Sequence, residues 1–116
     1  MSEKNDKFEV YAKLIKAIGD ANRIKILNFL SKEAKSVMQI KRELKLSQPL
    51  ISHHLKYLKY GGLITDRKEG VYVYYSLISP AITSLIDCII VCCDQVIGFK
   101  EGKIKNIKEN CEVCEK

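Results

Sequence analysis

The chain is 116 residues long, 47% hydrophobic and 29% charged, the proportions of one folded domain with a single modest core, which excludes a disordered chain. Its net charge is +6, and residues 35–68 alone carry eight Lys or Arg against Glu43 and Asp66, an excess equal to that of the whole chain. Such a basic stripe is the footprint of a phosphate-backbone binder.

The most apolar run, Cys88 to Cys93, is far shorter than the roughly 20 residues of a spanning helix. Met1 to Lys7 is polar and charged, without the apolar segment of a secretory signal. The expectation is a cytoplasmic protein with no membrane partner.

Phe8, Tyr11, Leu14, Ile15 and Ile18 recur at three- and four-residue spacing and predict an amphipathic first helix stopping at Gly19. Asp20 reads as the cap of a second helix to about Ser31, with Ile24, Leu27 and Leu30 as its inner stripe. Ser36 to Gln39 is a capping-box pattern opening a short third helix lined by Val37, Ile40 and Leu44. Ser47 caps a fourth helix with Pro49 in its first turn and Gly61-Gly62 as its stop. Leu63–Asp66 and Val71–Leu77 predict a β-hairpin whose charged tip is Arg67 to Gly70. On it Tyr72 and Tyr74 share one face, and Val71, Val73 and Tyr75 the other. Ser79-Pro80 opens a last helix that Gly98 closes, with Ile82, Ile86, Ile89, Cys93 and Val96 as its apolar stripe. Residues 1–98 then form the folded domain and 99–116 a polar tail.

Third helix, three-residue loop, fourth helix and basic hairpin together describe a winged helix-turn-helix, mainly α with a small β-hairpin. At about 100° per residue, Ile51, Leu55 and Leu58 fall on the inner face of the fourth helix. The outer face carries Ser52, His53, Lys56 and Tyr60, with Ser47 and Gln48 at the N-terminal turn, and no acidic residue lies between Ser47 and Tyr60. These side chains suit base edges and phosphates in a major groove. His54 points about 100° from His53, so the pair does not suit one metal ion, and His54 reads as flank or core packing. Arg67 and Lys68 on the wing are phosphate or minor-groove candidates.

Gly19-Asp-Ala-Asn-Arg-Ile-Lys-Ile-Leu27, Leu46-Ser-Gln-Pro-Leu-Ile-Ser-His-His-Leu-Lys-Tyr-Leu58, Gly61-Gly-Leu-Ile and Gly70-Val-Tyr-Val-Tyr-Tyr75 resemble the ArsR/SmtB family of bacterial and archaeal regulators. The resemblance covers roughly Phe8 to Val96. It implies four helices, a hairpin wing and a fifth helix, and a homodimer through the first and last helices. It also implies repression by binding a double-stranded DNA operator, relieved when an inducer binds. Gln48, Ser52, His53 and Lys56 match the family's DNA-reading helix and Arg67 its wing.

Two metal sites known in that family are missing or altered. Where one has Cys-x-Cys on the third helix, this chain has Val37-Met38-Gln39; where the other has Asp-x-His on the last helix, it has Asp87-Cys88-Ile89. What remains is five cysteines: Cys88 and Cys92 one turn apart, Cys93 beside them, and Cys111-x-x-Cys114 in the tail. Together they would suit a soft ion or metalloid such as Zn(II), Cd(II) or As(III). Alternatives are a thiol redox switch on the same cysteines, and simple packing, above all for Cys93. A winged-helix protein-interaction module is the rival to DNA binding. With no Gly-rich phosphate loop and no Ser/His/Asp set, no catalytic residue is assigned and an enzyme is not expected.

Overall fold

The structure is a computed structural model and describes residues 6–100, with side chains through 98. In chain order the elements are α1 (Lys7–Ile18), α2 (Ala21–Leu30), β1 (Lys35–Ser36), α3 (Val37–Leu44), α4 (Gln48–Tyr60), β2 (Ile64–Glu69), β3 (Tyr72–Leu77) and α5 (Pro80–Lys100). The chain divides after Thr83 into two compact units.

The first unit is a winged helix-turn-helix. Each helix begins on a side chain that satisfies an otherwise orphaned N–H. Asp6 accepts from Phe8 at 2.9 Å, and Asp20 from Asn22 and Arg23 at 2.9 and 3.2 Å. Ser36 and Gln39 form the expected reciprocal capping box, at 3.2 and 2.8 Å. The helix-turn-helix loop is Lys45, Leu46 and Ser47, and Lys45 ends α3 in a left-handed conformation, φ 57°. At the end of α4, Leu63 donates back to Leu58 and Gly62 to Lys59, with Gly62 at φ 76°. This closure satisfies the last carbonyls and needs a residue tolerant of positive φ.

Three strands pair antiparallel in the order β1-β3-β2. The two-residue β1 was not expected; it exists because Lys35 pairs with Tyr75 and Ser36 with Tyr74. The hairpin is also longer than expected, its ladder running from Ile64↔Leu77 to Glu69↔Tyr72. Only Gly70 and Val71 remain for the turn, with φ 63° at Gly70, the first central position. A two-residue turn with Gly there matches the strand twist, so it fixes the register and moves the tip two residues on. Val71 is therefore a turn residue, 87% exposed, rather than a member of a strand face.

The core of this unit joins Ala17 and Ile18 of α1, Ile26, Leu27 and Leu30 of α2, Ile40 of α3, Ile51, Leu55 and Leu58 of α4, and Leu63 and Ile64 at the wing's root. Burying each large aliphatic side chain stabilises the fold by about 1.5–3 kcal/mol. On α2 Ile26 is buried beside Leu27 and Leu30, whereas Ile24 is only half-buried. The helix touches α1, α3, α4 and β3, so its inner face is wider than the single stripe expected. The apolar residues of α1 split: Ile18 is buried, but Phe8, Tyr11 and Ile15 are 77%, 53% and 54% exposed.

The last helix starts as expected, Ser79 Oγ accepting from the Ala81 N–H at 3.1 Å. It passes through Gly98 and runs to Lys100, so Gly98 does not close it. Of its stripe, Ile82 and Ile86 are buried and Ile89 half-buried, while Cys93 and Val96 are exposed. The second unit's described part is this one helix, which offers no second layer within the unit to bury a face. By length and composition, Pro80–Gly98 is apolar enough to cross a membrane, with mean hydropathy 1.8. The shorter run at 88–93 gave no sign of this.

Candidate nucleic-acid interface

The fourth helix sorts its side chains as its sequence spacing requires. Ile51, His54, Leu55 and Leu58 are buried; Gln48, Ser52, His53, Lys56 and Tyr60 are exposed. Ser47 is the cap, its Oγ accepting from the Leu50 N–H at 3.4 Å, and Pro49 sits in the first turn, where no N–H is missed. The outer face is a run of donors without a carboxylate, and Tyr60 stands 86% exposed at its far end.

Behind this face lies a small polar seam between α2 and α4. His54 is 5% exposed, and its Nε2 stands 3.8 Å from Asp20 Oδ2. Burial pushes the imidazole below its ordinary value against the opposing pull of Asp20, and the charges of Arg23 and His53 push the same way as burial. For Asp20, desolvation raises the carboxyl, but the N–H donors of Arg23 and Asn22 and the charges of His54 and Arg23 outweigh it and hold it below its usual range. The Arg23 guanidinium lies over the Tyr57 ring at 4.1 Å. Neither Arg23 Nε nor His54 Nδ1 has a hydrogen-bond partner among the described residues. The sequence flagged His54 as a packing residue but gave no sign of Arg23's part.

On the wing, Arg67 and Lys68 point to opposite sides of the ladder. Arg67 faces Tyr74 and Lys68 faces Val73 across the strands. Arg67 shares its side with Tyr72, Tyr74 and Glu69: its Nε donates to Glu69 Oε2 at 2.6 Å, and its guanidinium is 5.8 Å from the Tyr74 ring centre. Asp66 lies on the other side and accepts from Lys59 of α4 at 2.9 Å. That hydrogen bond and charge hold the Lys59 ammonium above its usual value. Asp66 also opposes Tyr75, whose phenol is raised by burial and by that carboxylate.

Of the cysteines, Cys88 and Cys93 are exposed and Cys92 is half-buried, all on α5 in the second unit. No group of three or more His, Cys, Asp or Glu fit to hold a metal ion occurs among the described residues. Cys111 and Cys114 lie outside them.

A family model described as bacterial regulatory protein, arsR family, matches residues 20–66, from the α2 cap through α4 into the wing. The arsenical resistance operon repressor of Escherichia coli is 36% identical over 98 residues, covering 84% of this chain and 80% of that protein. The chain belongs to the ArsR family. An uncharacterized HTH-type transcriptional regulator of Methanocaldococcus jannaschii is 39% identical over 82 residues, 70% of this chain and 92% of that one. Among solved structures, a homodimeric winged helix-turn-helix DNA-binding domain from Mycobacterium bovis aligns with TM-score 0.72 and 25% identity, covering 84% of this chain and 94% of that one. Membership makes this ArsR-family protein a DNA-binding transcription regulator and not an enzyme. The Ser47-to-Leu58 run of the sequence already carries the resemblance to this family.

Proposed function

We propose that the chain is a cytoplasmic, homodimeric repressor that binds an operator through α4 and the wing. A soft metal or metalloid ion on cysteine thiolates releases it. The observation that carries the DNA-reading half is the outer face of α4: five exposed polar side chains with no carboxylate among them. Gln48 and Ser52 read base edges, His53, Lys56 and Tyr60 reach bases or phosphates, Ser47 fixes the helix start, and Arg67 and Lys68 take phosphate or the minor groove.

Two apolar surfaces support the dimer: Phe8, Tyr11 and Ile15 on α1, and Val91, Val96 and Ile97 on α5, each 41–77% exposed. Apolar patches of this kind mark interaction sites. A bilayer is the poorer partner for α5. Asp87 and Asp94 interrupt the helix, and an acidic side chain at the middle of a spanning helix costs about 2.5–3.5 kcal/mol.

For the effector, Cys88 and Cys92 lie one turn apart on α5, and thiolates select soft ions. Cys93, Cys111 and Cys114 would complete the set, because two or three α5 thiolates fall short of a closed four-ligand site. Bound there, the ion would supply a cross-link between tail and helix, leaving residues 1–98 as the reading domain and 99–116 as the sensing tail. The E. coli relative's role as an arsenical resistance repressor supports Zn(II), Cd(II) or As(III) as the class.

The test is fluorescence polarisation of the reduced protein on a duplex selected from random sequence, with and without each ion. A parallel ultraviolet titration follows the thiolate charge-transfer band. Binding lost on adding one ion, with a band that Cys92→Ser removes, is expected. No duplex binding rejects the DNA reading, and unchanged binding with a flat spectrum rejects the effector.

A further inference from the structure

Four cations, Lys56 and Lys59 on α4 and Arg67 and Lys68 on the wing, belong to the recognition helix and its hairpin, and two of them are held by carboxylates. Lys59 is paired to Asp66 at 2.9 Å and Arg67 to Glu69 at 2.6 Å. Lys56 and Lys68 have no such partner among the described residues. Both acceptors belong to one strand, β2, and they leave it on opposite sides, each toward a different cation. All four paired side chains stay open to water, between 32% and 58% exposed. Pairs this exposed contribute little to folding stability, so their positions call for an explanation other than the fold.

A carboxylate on an arginine or lysine makes the same charge-assisted contact that a DNA phosphate would make. We infer that Asp66 and Glu69 are specificity-determining residues: they act as internal phosphate surrogates that occupy Lys59 and Arg67 in the free protein. DNA must displace them, so a random duplex gains less from these two cations than the local charge suggests. On an operator, where Gln48 and Ser52 find their base edges and the wing is pressed onto the backbone, the exchange goes through. The carboxylates thereby lower non-specific more than specific affinity and widen the ratio on which operator finding depends. Glu69 matters most, because its partner Arg67 is a wing cation already proposed to touch DNA, which Lys59 is not.

This inference rests on the DNA-reading proposal, and one experiment separates the two. Binding of the full chain to a random duplex and to the selected operator is measured by polarisation from about 50 to 200 mM salt. The proteins are wild type, Asp66→Asn, Glu69→Gln and Glu33→Gln. Glu33 pairs with Lys35 at 2.9 Å before β1, so its variant makes the same charge change outside the wing. Thermal unfolding confirms that all four fold.

The expectation is that Asp66→Asn and Glu69→Gln each tighten random-duplex binding about 3- to 10-fold. Each should steepen the plot of log affinity against log salt by about 0.9, one phosphate contact. Operator binding should gain less, and Glu33→Gln should leave the slope where it was. Wild-type slopes in both wing variants, or equal gains on both duplexes, would overturn the inference while leaving the DNA reading intact. A wild-type protein that binds neither duplex would overturn both.

Discussion

The Asp20 carboxylate caps α2 with one oxygen and turns that same oxygen, Oδ2, toward the buried imidazole of His54 on α4, 3.8 Å away. The start of the family-matched segment is thus tied to the buried face of α4. Asp20→Ala removes the cap and leaves two N–H groups without their acceptor. A loss of about 1 kcal/mol is expected in urea unfolding. Asp20→Asn, which keeps the oxygen, should recover most of it; equal losses would show that the cap is not the source.

The buried imidazole makes stability depend on pH. His54 is held below its ordinary value in the fold, chiefly by burial, so the unfolded chain binds the proton first. Stability is then full above about pH 6.5 and falls as the pH drops through that value. Melting temperature measured at fixed concentration from pH 7.5 to 5.5 should decline, and the decline should shrink in His54→Leu. An identical slope in the variant would assign the effect elsewhere.

Two adjacent glycines end α4 for different reasons, and alanine at each should separate them. A Cβ on Gly61 would stand 3.0 Å from the Ala17 Cβ of α1, whereas Gly62 has open space but φ +76°. Each alanine is expected to cost about 1 kcal/mol, the first from crowding and the second from backbone strain. Ala17→Gly should show favourable coupling with Gly61→Ala and none with Gly62→Ala in a double-mutant cycle.

On DNA, Lys56→Ala should weaken operator and random duplex alike and lower the salt slope by about 0.9. Gln48→Ala should instead narrow the difference between the two by about 1–3 kcal/mol, the worth of a good base contact. A Gln48→Ala protein that keeps full discrimination would remove Gln48 from the reading set.

Exposed apolar residues on α1 predict the assembly. Ile15→Glu, placed in the patch with Phe8 and Tyr11, should give monomers in sedimentation with helical circular dichroism unchanged. A dimer of wild-type strength would place the interface elsewhere.

How much of this was legible in the amino-acid order depends on how local each cause is. The polar face of α4 could be read because cap, first-turn proline, helical period and glycine stop all lie within Ser47–Gly62. The capping box at Ser36 and Gln39 was legible for the same reason. β1 was not, since Lys35 and Ser36 are extended only through pairing with Tyr75 and Tyr74, some 40 positions away. The pairing of Lys59 with Asp66 needed the angle between α4 and β2. Glu69 lay one residue beyond the basic segment whose charge was counted. On α5 the apolar stripe was plain, but whether Cys93 and Val96 are covered depends on what packs there, which spacing does not encode.

Ser36 holds three positions at once: it pairs with Tyr74 of the wing, it is buried, and it caps α3. The hairpin is for this reason a strut rather than a flap. Any displacement of the wing would pull on the Ser36–Tyr74 pair, and through it on the first turn of α3. A load placed on the hairpin would therefore reach α3 through a joint only two residues wide.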